Sequence, residues 1–305
     1  MIRLGTRGSA LALAQANWVA ERLQGEVELV PITTSGDKPQ PSRGSDPLEG
    51  LTDKSRFVKE LEEALIAGTV DLAVHSAKDV PSELPDGLAI VGVPERADAR
   101  DAICGAESLE SLPEGAVVGT ASLRRRAALL ALRPDLDVRE LRGNVDTRLR
   151  RLAEGNFDAI VLAQAGLERL GRSDEGTPID ADVIVPAPGQ GCLLIESRDA
   201  DDAAVAAVRG FTDMTANTCL IAERSLVRRL DASCRTPIGA HAVATERALW
   251  LSAFVGLPDG SQWIRDELEG SAAEPAALGA AVANRMLAAG AAELLAEAER
   301  VAFAP

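Results

Sequence analysis

Tyrosine is missing from this chain of 305 residues, and only five Phe and three Trp represent the other aromatics. So few rings give single-stranded nucleic acid nothing to stack on, and a formal net charge of -15 repels a phosphate backbone. No run of eighteen apolar residues occurs, so no membrane-spanning helix is expected. Arg7 interrupts the opening MIRLGTRGSALALAQ where a signal peptide would have its apolar core, and a cytoplasmic location is expected. The four cysteines, Cys104, Cys192, Cys219 and Cys234, form no C-x-x-C pair and have no histidine at ligand spacing, which argues against both a disulfide framework and a zinc site. Neither a G-x-x-x-x-G-K-[ST] loop nor a G-x-G-x-x-G turn is present, so nucleotide phosphates are disfavoured.

Lysine is the other scarcity: four residues, against 28 Arg and 47 acids. An acidic, lysine-poor surface suits solubility in concentrated salt, and a halophilic origin is the corresponding expectation. Against that background Lys54, Lys59 and Lys78 fall close together in sequence.

What is present is a long alternation of strand and helix patterns, with enough apolar content (46%) to bury a full core. Strands are expected at Ile2 to Thr6, Val27 to Thr33, Asp71 to His75 and Leu88 to Val93, with helices at Ser9 to Leu23 and Phe57 to Ala67. The segment Thr34 to Arg56, rich in Gly, Pro, Ser and Asp, reads as a long lid-like loop. A second series follows: strands at Ala116 to Gly119, Leu136 to Leu141 and Ala159 to Leu162, helices at Ser122 to Leu132 and Asn144 to Glu154. Such alternation predicts an α/β architecture with mostly parallel sheets in two similar domains. A Pro/Gly-rich crossover then leads to an apolar strand ending at Arg198, followed by helices at Asp199 to Arg209 and Asp213 to Leu230. Three strand-like runs near Ala240 to Val243, Ala248 to Val255 and Gln262 to Leu268, and an Ala-rich helix from Glu274 to Ala296, predict a smaller α+β domain after about Met214. The expected domains are 1–93 with 192–211, 98–187, and 214–305.

Nine arginines stand against four acids between Ser122 and Arg151. Thr120 and Ser122 occupy a strand-to-helix junction, and Arg124, Arg125 and Arg126 crowd a helix N-terminus, where the macrodipole disfavours cations. An anion resolves that conflict, because N-terminal amides and guanidinium forks both bind carboxylates and phosphates. The second junction, LRGNVDTRLRR, repeats the arrangement with Arg142, the capping residue Asn144, and Arg148 one turn inside the helix. Ligands of open α/β sheets bind outside the carboxyl ends of the strands, so paired junctions point to an anionic small molecule. A solvated basic face accounts for Arg126, Arg150 and Arg151. In DLAVHSAKDVP a strand delivers Ser76, Lys78 and Asp79 at an exit fixed by Pro81; a plain surface ion pair between Lys78 and Asp79 is the alternative.

The motifs TRGSALALAQ, FVKELEEAL, DLAVHSAKDVP, GTASLRRR, LRGNVDTRL, LAQAGLERLG, PAPGQGCLLIE and SCRTPIGAHA occur in that order over nearly the whole chain. Together they resemble the hydroxymethylbilane synthase, or porphobilinogen deaminase, family. The resemblance implies two domains like those of type II periplasmic binding proteins plus a small α+β domain. It also implies an enzyme that joins four porphobilinogen units head to tail with release of ammonia, in tetrapyrrole biosynthesis. The family builds on a dipyrromethane cofactor held by a thioether, which the match places on Cys234, and requires no metal. By the same resemblance Asp79 is the catalytic carboxylate. Ser76, Lys78, Thr120, Ser122, Arg124, Arg125, Arg142, Asn144 and Gln190 are cofactor-binding, and Arg7, Ser9, Lys54, Arg148 and Arg169 are substrate-binding. A monomer with no nucleic-acid or membrane partner is implied.

Two stretches depart from the family pattern: TDKSRF (Thr52 to Phe57) replaces a glycine-rich lid run, which leaves the behaviour of Arg56 open, and Ala121 removes a hydroxyl. A non-catalytic binding protein for a small polycarboxylate would also explain the anion site, though not the DASCRTPIG loop. A thiol-dependent acyl transferase would use Cys234, but no oxyanion arrangement accompanies His241.

Overall fold

The computed structural model describes residues 1–35, 55–199, 201–232 and 236–302. These form two compact units, Met1–Arg96 with Cys192–Asn217, and Ala97–Gly191 with Thr218–Pro305. Most of the expected lid, including Lys54, lies outside the described residues, as does Cys234.

The first unit is built on strands β1 (Ile2–Arg7), β2 (Val27–Ile32), β3 (Leu72–Ser76), β4 (Leu88–Gly92) and β10 (Leu193–Arg198) in the order β2-β1-β3-β10-β4. Helix α1 (Ala10–Ala20) starts where Ser9 Oγ accepts the Ala12 N–H, and it buries Ala12, Gln15, Ala16 and Val19 at helical spacing. Helix α2 (Ser55–Ile66) buries Val58, Leu61 and Leu65, Leu61 and Leu65 packing with Val70, Ala73 and Leu88. Helix α6 (Asp202–Ala207) is shorter than the expected Asp199 to Arg209.

The second unit holds an equivalent sheet of β5 (Asp101–Cys104), β6 (Val117–Gly119), β7 (Asp137–Arg139), β8 (Ala159–Ala163) and β9 (Thr177–Ile179), in the order β7-β6-β8-β5-β9. Helices α3 (Leu123–Leu132) and α4 (Val145–Ala153) follow β6 and β7, capped by Ser122 and Asn144. Sequence patterning misses β5, β9 and the short α5 (Gln164–Arg169): β5 and β9 are short, and no helix pattern follows either of them, as helix patterns follow the equally short β6 and β7. Four strands of each sheet share one direction, as expected, and one opposes them. β10 runs antiparallel to β3 and β4, and β5 antiparallel to β8 and β9, so both sheets are mixed. β10 joins the first sheet only after the chain has made the second, whereas β5 opens the continuous segment that forms the second sheet.

The second unit also contains α7 (Met214–Arg229) from Thr218 onward and an antiparallel sheet of β11 (Ile238–Ala244), β12 (Leu249–Gly256) and β13 (Trp263–Gly270). The single Ala-rich helix expected at its end is two, α8 (Pro275–Ala288) and α9 (Ala291–Ala302), because Gly290 turns the chain at φ 96°. Phe254 of β12 packs among Ile103, Ala127 and Val161, and Arg126 donates to the carbonyls of Val138 and Pro258. Arg126 is thus a tie between α3 and the β12–β13 turn rather than the solvated cation expected. No single helix among the described residues is long and apolar enough to cross a membrane.

Three titratable groups lie inside the first unit. His75 Nε2 is 2.9 Å from Glu196 Oε2, both side chains 2% exposed. Burial, reinforced by the Glu196 charge, pushes the Glu62 carboxyl up to about 7, with His75 opposing. A raised carboxyl pKa means the folded state holds a proton that the unfolded chain releases above about 4.5. Stability therefore falls as pH rises from about 5 to about 7 and levels off above that. The wild type is expected to lose about 2 kcal/mol of unfolding free energy between pH 5 and pH 8, and Glu62→Gln to flatten that slope in urea titrations; an unchanged slope would remove Glu62 as its source.

Candidate active site

In the first unit the expected residues gather at the carboxyl ends of β1 and β3, the two neighbouring central strands. β1 ends at Arg7, whose guanidinium carbon lies 4.2 Å above the Phe57 ring, and Ser9 caps the helix that follows. β3 ends at Ser76 and passes into a tight 3-10 turn, Ala77–Asp79, which presents Lys78 and Asp79 half-buried. The turn is anchored by the Ala77 N–H donating to the Cys192 carbonyl at 3.0 Å. Buried Gln15, on which the sequence gave no signal, donates to Ser76 Oγ at 3.1 Å.

In the second unit the junctions after β6 and β7 are built as expected, but the arginines are disposed differently. Thr120 Oγ1 accepts the Ser122 N–H at 3.1 Å, and Ser122 Oγ accepts the Arg125 N–H, so each hydroxyl retains its O–H to donate. Arg124 and Arg125 are 4% and 5% exposed and turn inward to Asp101, which is fully buried on β5. Arg124 reaches it at 2.7 Å and 3.2 Å, and Arg125 at 2.8 Å and 3.0 Å. Arg124 also donates to the Val185 carbonyl and Arg125 to the Val161 carbonyl, while Arg124 Nε has no partner among the described residues. The open forks expected of Arg124 and Arg125 are therefore occupied. The anion demanded by cations at this helix start is an internal carboxylate on a strand the sequence did not reveal. Burial alone would raise the Asp101 pKa, but Arg124, Arg125 and Gln190 hold it far below the usual carboxylate range.

Gln190 and Arg169 are corrected in the same way. Gln190 is buried and donates to Asp101 Oδ1 at 2.9 Å and to the Ala99 carbonyl at 2.7 Å, while Arg169 donates to the Gly191 carbonyl at 2.7 Å. Gly191 permits this close packing: its φ is 86°, and a Cβ there would meet the Ala97 carbonyl at 2.4 Å.

Unlike Arg124 and Arg125, Arg148 has no carboxylate partner among the described residues. Its Nε is buried without a hydrogen-bond partner among the described residues. Burial, then the charges of Arg125 and Arg142, bring its pKa down to about 10. Arg142 is exposed and contacts Glu140 at 2.7 Å, and Asn144 Oδ1 accepts the Thr147 N–H at 2.9 Å, leaving its amide hydrogens to donate. A partly buried cation with cationic neighbours, beside a helix N-terminus and hydroxyls that donate to no acceptor among the described residues, is an arrangement suited to an anion carrying carboxylates.

Three cysteines are buried, and burial pushes the Cys104 thiol up to about 11. Asp101 could have been found from sequence only as the acid that two buried arginines require. Replacing it by Asn would strand two guanidinium groups in the core, so Asp101→Asn is expected to lower the free energy of unfolding by about 3–5 kcal/mol, read from the urea midpoint; a change below about 1 kcal/mol would show that the cluster does not organise the unit.

Comparison with known proteins bears directly on this arrangement. The family model described as "Porphobilinogen deaminase, dipyromethane cofactor binding domain" matches residues 2–206, and "Porphobilinogen deaminase, C-terminal domain" matches residues 217–288. The porphobilinogen deaminase of Deinococcus radiodurans is 46% identical, covering 96% of this chain and 97% of its own. That of Brevibacillus brevis is 44% identical, covering 98% and 97%, and that of Nitrobacter hamburgensis 48%, covering 93% and 92%. Among solved structures, the periplasmic aliphatic sulphonate binding protein SsuA from Escherichia coli is similar at a TM-score of 0.40 with 13% identity, covering 74% of this chain and 69% of that one. Two family models that together take in most of the sequence, and relatives matched end to end, lead to one conclusion: this chain belongs to the porphobilinogen deaminase family.

Proposed function

We propose that this chain condenses four porphobilinogen molecules head to tail into hydroxymethylbilane, releasing one ammonia at each addition, and that it does so as a cytoplasmic monomer with no nucleic-acid or membrane partner. The observation that carries the reading is Arg148, a partly buried cation beside Arg125 and Arg142 with its Nε unpartnered among the described residues. Each pyrrole of the substrate bears an acetate and a propionate, so a lengthening chain brings carboxylates in number to such a site. The O–H donors of Thr120 and Ser122 and the amide of Asn144 suit the same oxygens.

The residues present fit a dipyrromethane cofactor, which is itself a polycarboxylate. Cys234, in the 214–305 portion and outside the described residues, would hold it through a thioether. The adjacent Arg235 favours the thiolate that alkylation needs, whereas Cys104, Cys192 and Cys219 are buried. Bound there, the group supplies the nucleophilic pyrrole carbon to which the first substrate is joined. Arg142 and Arg148, with Ser76, Lys78, Thr120, Ser122 and Asn144, would hold carboxylates of cofactor and growing chain, and Arg7, Ser9 and Lys54 those of the incoming substrate. Arg124, Arg125 and Gln190 contribute through the Asp101 cluster, and Arg169 through its bond to Gly191.

Asp79 is assigned the chemistry. Loss of ammonia from the substrate's aminomethyl group leaves a cation spread over its pyrrole ring and N–H. A carboxylate fixed by the Ala77–Asp79 turn stabilises charge that develops only as the bond to ammonia breaks. Asp79→Asn is expected to lower kcat for ammonia release from porphobilinogen by about 100-fold to 1,000-fold while the covalent adduct still forms. Cys234→Ala should lack both the adduct, by intact-protein mass and peptide mapping, and turnover. Adduct on another cysteine, or near-normal turnover of the Asp79 variant, would overturn these roles. A protein that binds porphobilinogen without releasing ammonia would favour the polycarboxylate-binding alternative.

The excess of acids over lysine supports a second reading, adaptation to concentrated salt. Unscreened repulsion among 47 acids weakens the folded state in dilute buffer, so the thermal midpoint should rise from low to molar sodium chloride; a flat or falling midpoint refutes it.

A further inference from the structure

A buried carboxylate with no part in the proposed chemistry holds together two segments of the second unit. Glu223, midway along α7, has no exposed surface. Its Oε2 accepts the Gly189 N–H at 2.6 Å and its Oε1 accepts the Ala242 N–H of β11 at 2.8 Å. Hydrogen bonds to an ionised carboxylate are roughly twice as strong as neutral ones, and burial keeps water from replacing them. One prong therefore fixes the Val185 to Gly191 segment and the other fixes β11.

Both ends of this clamp lead to the site. On one side, Gln190 adjoins Gly189 and donates to Asp101 at 2.9 Å, and Arg124 donates to the Val185 carbonyl at 2.8 Å. On the other, β11 begins at Ile238, four residues beyond Cys234, and its Ala240 N–H donates to the Pro186 carbonyl at 2.9 Å. The approach is close enough that a Cβ on Gly239 would meet the Val185 carbonyl at 2.7 Å. Apolar residues of similar volume commonly hold a core together as well as buried charge does, so stability alone is a weak reason for a carboxylate here. What an apolar side chain lacks is the ability to aim two chosen amides at one point.

We propose that Glu223 is a positioning residue for the condensation, setting the strand that leaves the Cys234 loop in register with the cluster of Asp101, Arg124, Arg125 and Gln190. This rests on the reading that Cys234 carries the cofactor, and peptide mapping of the wild type tests that reading separately. Glu223→Gln keeps the shape but turns an amide donor against one of the two N–H groups. The expected result is a folded protein in which kcat per adduct-bearing molecule falls at least tenfold while KM stays within threefold. The adduct-bearing fraction by intact mass should fall as well. Glu223→Asp, which keeps both acceptors a methylene short, should lose less. Ser225→Ala, which removes a bond from the same helix to the Ala276 carbonyl, serves as control and should leave kcat unchanged. A lowered melting temperature with wild-type kcat per adduct-bearing molecule overturns the proposal, as does failure of both Glu223 variants to fold, since the residue would then be structural. A wild type with its adduct elsewhere defeats the underlying reading instead.

Discussion

The second unit is organised around one buried carboxylate. Asp101 takes four guanidinium hydrogen bonds and one amide hydrogen bond in a site from which water is excluded. Two arginines around one aspartate leave the cluster with a net positive charge. The desolvation cost of all three groups is offset only because geometry and partner count are both favourable. The start of α3, the Val185 carbonyl, the Gln190 side chain and β5 are fixed relative to one another by this arrangement. The surplus charge is also felt by Arg148, whose lowered pKa arises from burial first and from Arg125 next.

The mixed direction of each sheet comes from a single strand that runs against the other four. β5 enters the second sheet before its parallel strands are made, and β10 returns to the first sheet after them. An antiparallel strand in each sheet places its side chains beside groups distant in sequence. Asp101 thereby meets Arg124 and Arg125, and Glu196 meets His75. In both units a buried acid on the antiparallel strand is set against a cation or imidazole from the parallel portion. Internal polar pairs of this kind favour one register over a slipped one, because a shift by one residue would turn the acid to the opposite face.

The chain by itself determined a good deal. The caps Ser9, Ser122 and Asn144 stand where they were expected, because a side-chain oxygen accepting an amide within three residues is a local event. The long strands β1, β2, β11, β12 and β13 were legible from their apolar pattern, and the gathering of Arg142, Asn144 and Arg148 at one junction from residue spacing alone. Family membership was readable from the ordered motifs, which depend on residue identity and not on packing. Tertiary structure alone decided the rest. β5 and β9 are short and lack the following helix pattern that marks the equally short β6 and β7, so they were invisible, and with β5 went Asp101. Whether Arg124, Arg125, Arg169 and Gln190 face a ligand or the core depends on which carboxylates and carbonyls the fold brings within 3 Å, across separations of 22 to 91 residues. Local sequence records that a guanidinium or amide is present; only the completed packing determines which acceptor it reaches.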